Sequence, residues 1–161
     1  MKRLLVIGLS CLGFVAAPTS AQTPPQLDDY RWAVGSYRCT GETTGEGAHP
    51  FTATFSLTRE LDGGVYVERY VEEKSAQHQQ PFSIIHLWTY DSKNQRYVRN
   101  GVDGNGGRHE HVSTGWSNGV WIWDAGGFRI PITRGDKQFS FKAELLKEGN
   151  WVLLASGVCK K

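Results

Sequence analysis

The sequence predicts an all-β fold, an antiparallel up-and-down β-barrel of about ten strands. Three observations carry that expectation. Apolar and hydroxylated residues alternate over segments such as "FTATFSLT", with Phe51, Ala53, Phe55 and Leu57 on one face and Thr52, Thr54, Ser56 and Thr58 on the other; a period of two belongs to half-buried strands. Clusters of Gly, Asn and Asp punctuate the chain at short, regular intervals, as hairpin turns require. No helical period follows Val34, and a long meander without helices is best closed into a barrel, because closure removes both exposed edges.

The elements follow in chain order. Met1-Lys2-Arg3, an apolar-to-small run from Leu4 to Ala17 and then "PTSAQT" form the basic, apolar and small-residue zones of a secretory signal peptide, expected to span residues 1–21 with cleavage near Ala21. Cys11 lies inside that run and leaves with it. Residues 22–30 read as a short proline-bearing tether and turn, and 31–161 as a single barrel domain. Within it "WAVGSYRCTG" opens the first strand and "QFSFKAEL" repeats the alternation with Phe139, Phe141, Ala143 and Leu145. Turn clusters stand at 61–64, 91–95, 103–107, 117–119, 125–127, 134–137 and 147–150.

Charge and cysteines bound the function. The leader would remove Lys2 and Arg3, leaving the basic residues level with the 16 acidic ones. A balanced surface argues against nucleic acid or anionic membrane as partner, since both need concentrated positive charge. The apolar run of the leader is too short to span a bilayer, so no membrane insertion is expected once it is gone. The reading is therefore a periplasmic or secreted protein, and in such a compartment the two remaining cysteines, Cys39 and Cys159, are expected to form one disulfide joining the first and last strands.

"WAVGSYRCTG", "LDGGVYVERYVEE", "PFSIIHLWTYDSKNQRYVRNGVDGNG", "STGWSNGVWIW" and "FSFKAELLKEGNWVLLASG" resemble, in that order, a widespread family of bacterial lipocalin-like (calycin-type) domains of unknown function, over nearly the whole chain beyond the leader. The resemblance implies a fold and little chemistry. Gly35-Ser36-Tyr37 stands where calycins carry a Gly-x-Trp signature. A more distant likeness runs to the nitrobindins and to fatty-acid-binding-type barrels. Nitrobindins hold haem through a histidine late in the chain, whereas the last histidine here is His111, so no haem and no other cofactor is expected.

Candidate site residues come from strand faces. If Asn118-Gly119 is a type I′ turn, Ser117 faces Val120, Trp116 faces Trp121 and Thr114 faces Trp123. One face then carries Val112, Thr114, Trp116, Trp121, Trp123 and Ala125, and the other His109, His111, Ser113, Ile122 and Asp124. The His-x-His pair is read as part of a polar outer face rather than a metal site, with His86 and His78 the only further ligands by residue type. In "VYVERYV" Arg69 shares a face with Val65, Val67 and Val71; in "PFSIIHLWTY" His86 shares one with Phe82, Ile84, Trp88 and Tyr90. A charged group on an apolar face must be paired, solvated or bound to something. Arg69 and His86 are therefore expected to point into the barrel and orient a polar or acidic head group, with Trp88, Trp116, Trp121 and Trp123 as walls; Arg99 joins them, its neighbours leaving its face undecided. The alternative for Arg69 is an outer pairing with Glu68 or Glu72.

No nucleophile elbow, Walker loop or Cys-His arrangement is present, so no catalytic residue is assigned. The expectation is an exported barrel that binds a small apolar or amphipathic molecule without catalysis. A filled barrel acting as a structural or interaction module, and a barrel enzyme using a cavity histidine such as His86, are the alternatives; oligomeric state is open.

Overall fold

A computed structural model describes residues 25–76 and 79–161; the expected leader with Cys11, and His78, lie outside the described residues. The chain forms a closed antiparallel barrel of ten strands: β1 (Gly35–Thr43), β2 (Pro50–Glu60), β3 (Val65–Glu72), β4 (Ser83–Asp91), β5 (Arg96–Asp103), β6 (Arg108–Ser113), β7 (Val120–Asp124), β8 (Phe128–Gly135), β9 (Gln138–Lys147) and β10 (Asn150–Lys160). A two-residue segment, Trp116–Ser117, continues β6 and pairs with β7. Every neighbour in the sheet is a neighbour in sequence except at the seam where β1 meets β10.

That seam carries the disulfide. Cys39 and Cys159 are cross-strand partners within a ladder running from Arg38↔Lys160 to Thr43↔Ala155, and their sulfurs are bonded. The bridge ties positions 120 residues apart, for which loop-closure entropy in the unfolded chain supplies about 4 to 5 kcal/mol. The expected clasp is thus present, and both cysteines are buried.

The turns fall where the Gly, Asn and Asp clusters stand. Asn118 (φ 50°) and Gly119 (φ 77°) are both left-handed, the requirement of a type I′ hairpin, and Trp116↔Trp121 and Ser117↔Val120 are paired as the turn demands. The register then slips. Upstream the pair is Val112↔Asp124, not Val112 with Ala125, so three residues on the β6 side oppose two on β7. The extra residue is a bulge built around Gly115 (φ 94°), whose amide donates to Ser113 Oγ at 3.1 Å. The expected Thr114–Trp123 pair does not form.

A one-residue slip inverts every side chain beyond it. His111 and Ser113 therefore point into the barrel together with Trp121 and Trp123, while Thr114 is exposed, correcting the face assignment drawn from the turn alone. The second correction concerns β3: Tyr66 and Glu68 are buried and Arg69 is exposed, so Arg69 lies on the outer face.

One end of the barrel is stoppered. Pro25–Ala33, part of which was expected as tether, is a 3-10 helix whose Leu27, Tyr30 and Ala33 are buried. The Tyr30 ring meets those of Tyr66, Trp88, Tyr97 and Trp121 at centroid distances of 5.0–5.6 Å. Its hydroxyl donates to the Thr89 carbonyl, and the Tyr97 hydroxyl donates to the Asp29 carboxylate. Mostly edge-on packing of large rings fills this half.

Candidate functional site

Above the stopper the interior is hollow. A cavity of about 340 Å³ occupies the other half of the barrel, within the size range of small-molecule sites. Its walls differ in kind. The wall from β2 and β8–β10 is apolar, presenting Phe51, Phe55, Phe139, Phe141, Ala143 and Ala155 among others. The wall from β3–β6 presents Glu68, His86, Arg99, His109 and His111.

Each of these polar groups is placed by strand alternation. Tyr66, Glu68 and Tyr70 face inward on β3; Ile84, His86 and Trp88 on β4; Tyr97 and Arg99 on β5; His109, His111 and Ser113 on β6. Neighbouring strands bring Glu68 opposite His86, and Arg99 opposite both Trp88 and His111. Gly101, paired with His86, makes room for the ring: a Cβ there would lie 2.4 Å from His86 Cδ2.

Glu68 is the hub. Its Oε2 accepts from the Trp88 indole N–H at 2.6 Å and lies 3.5 Å from Arg99 Nη1. The same oxygen is 3.1 Å from His86 Nδ1, close enough for charge to matter although the two are not aligned as a hydrogen bond. Burial pushes the Glu68 carboxyl up, but the Arg99 charge, with His86 and Trp88, outweighs it and holds the group at about 2, an anion at any ordinary pH. Burial in turn lowers Arg99, against the pull of Glu68. Its guanidinium also lies 5.1 Å over the Trp123 ring, a stacking that further holds the side chain.

Donors remain over. Arg99 Nε and Nη2, which form one edge of the guanidinium fork, have no hydrogen-bond partner, nor do His86 Nε2 and His111 Nδ1. Buried polar groups are ordinarily satisfied, so a cluster of unused ones facing a hollow is where a ligand's polar end belongs. His109 differs, its Nε2 lying 2.7 Å from Asp103 Oδ2 at the edge of the site. No group of three metal-ligating side chains is found among the described residues.

Of the residues singled out from sequence, His86, Trp88 and Arg99 line the cavity. Trp121 and Trp123 are fully buried but belong to the packed half, against Tyr30, rather than to the cavity wall. Trp116 is half-exposed beside Trp32 and Trp121 at the stoppered end, and Arg69 stands outside the barrel. Sequence reasoning missed Glu68, His109 and His111. For Glu68 the signal was the spacing of Tyr66 and Tyr70 around it, and for the histidines it was Gly115.

The barrel is similar to the crystal structure of Rv2717c from M. tuberculosis, with a TM-score of 0.66 and 9% sequence identity over 87% of this chain and 99% of that one. No family model matches the chain. No curated protein matches it either. At that identity the likeness is one of fold: a closed antiparallel β-barrel.

Proposed function

We propose that this protein is an exported barrel that binds one small amphipathic molecule without transforming it. The observation that carries the reading is the division of the cavity into an apolar wall and a polar wall with unused donors. The apolar body of a ligand would lie against Phe51, Phe141 and Ala155, and its polar head would meet Arg99, His86 and His111. Export is supported by the signal-like pattern over residues 1–21 and by the disulfide, which persists in oxidising compartments. The resemblance to lipocalin-like domains points the same way. A wholly filled barrel, the premise of the interaction-module alternative, is not what the interior presents.

The test is to fill the cavity. Ala155 lines it: the parent protein should enhance the fluorescence of 1-anilinonaphthalene-8-sulfonate, and Ala155→Phe should abolish that enhancement while leaving the far-UV circular dichroism unchanged. An unchanged enhancement in a folded variant would remove the cavity as the binding site. Native mass spectrometry of protein purified from its host compartment should also retain a small molecule.

One observation favours a second reading: Glu68 Oε2 lies 3.1 Å from His86 Nδ1 and Nε2 has no partner, so a modest ring rotation that aligned the pair would give the layout of a carboxylate-oriented general base. If that reading holds, a ligand recovered from the cavity is converted on prolonged incubation, and His86→Gln stops the conversion without preventing binding.

A further inference from the structure

The polar wall sets Arg99 against two carboxylates, Glu68 beside it and Glu72 farther along β3. Glu68 and Arg99 are fixed and opposite, and around them stand His86 from β4 and His109 and His111 from β6. The ring centroids are 5.7 Å apart for His86–His111, 6.4 Å for His86–His109 and 6.3 Å for His109–His111. His109 is engaged with Asp103, whereas His86 and His111 are 3% and 4% exposed and each keeps an unpartnered nitrogen. The other groups facing the cluster are Tyr30 beneath Arg99, Phe128 from β8 against His111, and Glu72 farther along β3.

An acidic head group laid on the free edge of Arg99 would put a second negative charge beside Glu68, with one guanidinium between them. An uncompensated charge is costly in a closed site. The side chains here able to cancel it near neutral pH are the imidazoles. We propose that the cavity takes its amphipathic ligand as an anion together with one proton, the anion on the Nε/Nη2 edge of Arg99 and the proton on His86 or His111. This rests on the amphipathic-ligand reading above and adds to it the charge of the ligand and the control of its release.

The empty site is prepared for such an exchange. Burial holds His86 below the ordinary imidazole range against the pull of Glu68, with Arg99 adding to the lowering; burial, Arg99 and His86 bring His111 down to about 3. Both rings are therefore neutral without ligand, and an adjacent anion raises them. Because the protonated site is the one that holds the anion, affinity rises as pH falls, by about tenfold per pH unit for one proton.

Titration calorimetry of the full chain with 4-phenylbutyrate, in two buffers of different ionisation enthalpy, measures this directly, with 4-phenylbutanol as the neutral control. About one proton should be taken up per acid bound and none per alcohol, with affinity for the acid rising about tenfold per unit between about pH 8 and about pH 6. His86→Gln or His111→Gln, checked for folding by circular dichroism, should abolish the uptake. Acid binding without proton uptake, or binding of the alcohol alone at every pH, overturns the inference and leaves the amphipathic-ligand reading standing. Failure of both probes to bind overturns the two together.

Discussion

The two ends of the barrel are built from the same ten strands and end up with opposite interiors. At the end closed by Pro25–Ala33, Tyr30 sits packed among Tyr66, Trp88, Tyr97, Trp121 and Trp123. At the other end the inward positions carry Ala143, Ala155 and rings pressed to one wall, and about 340 Å³ stays open. The difference teaches that hollowness here is set by side-chain size and by the helix that enters from one side, rather than by the sheet. Stability should therefore reside at one end and binding at the other.

Truncation breaks that comparison most directly. Tyr30→Ala opens a new void among close-packed rings and should cost about 3 to 5 kcal/mol in denaturant unfolding. Phe141→Ala only enlarges an existing hollow, and its cost should be no more than about half of that. Equal losses at the two positions would mean that the open end is held as tightly as the stoppered one.

Next in size is the clasp. Opening it with Cys39→Ser and Cys159→Ser together should lower stability by about 2 to 5 kcal/mol, and the parent protein should show a matching drop in melting temperature under reducing agent. The β6–β7 seam has no such bond and is held upstream of the bulge by the single pair Val112↔Asp124. Amide hydrogen exchange in the disulfide-bonded parent should accordingly be fastest along β6, and slower exchange there than at the β1–β10 seam would refute that ranking.

The smallest effect separates the ends by pH. Glu68, lowered from the ordinary 4.5 to about 2, gives its full contribution above about pH 5 and loses it progressively as pH falls from there to about 2. His86 and His111 act sooner. Both are depressed in the fold from an ordinary 6.5, so the unfolded chain takes up protons first and stability declines as pH drops below about 6.5, continuing for His111 down to about 3. Each histidine can contribute at most about 1.4 kcal/mol per pH unit. Unfolding free energies of the ligand-free protein between those limits should show the decline, and His111→Phe should flatten it; the stoppered end, lacking histidine, should add nothing.

Much of this could be read along the chain. The strands follow the alternation of residues such as Phe51 to Leu57, the turns follow Gly, Asn and Asp, and parity placed Cys39 against Cys159. His86, Trp88 and Arg99 stood out because polar and aromatic groups shared apolar faces. The errors have local causes. Valines drew the inner face of β3 to the wrong side, yet Val71 is exposed, as are Ile85, Leu87 and Val102, because β-branched and aliphatic residues suit the strand itself on either face. Glu68 was thus assigned outward when its real surroundings, Arg99, His86 and Trp88, come from two other strands.

By itself the sequence determined the local matters: where strands begin and end, that they form hairpins, and that two cysteines meet. Those depend on backbone propensities and on residues near one another in the chain. Only the tertiary structure decided which face became the interior and what gathered there. The bulge at Gly115 turns His111 inward by adding one residue, and the register of successive hairpins carries Glu68, His86, Arg99 and His111 from four strands to one wall. A period of two has no memory across such an insertion, so the side on which a polar residue ends up is settled by the register with the neighbouring strand and by which face the closed sheet encloses.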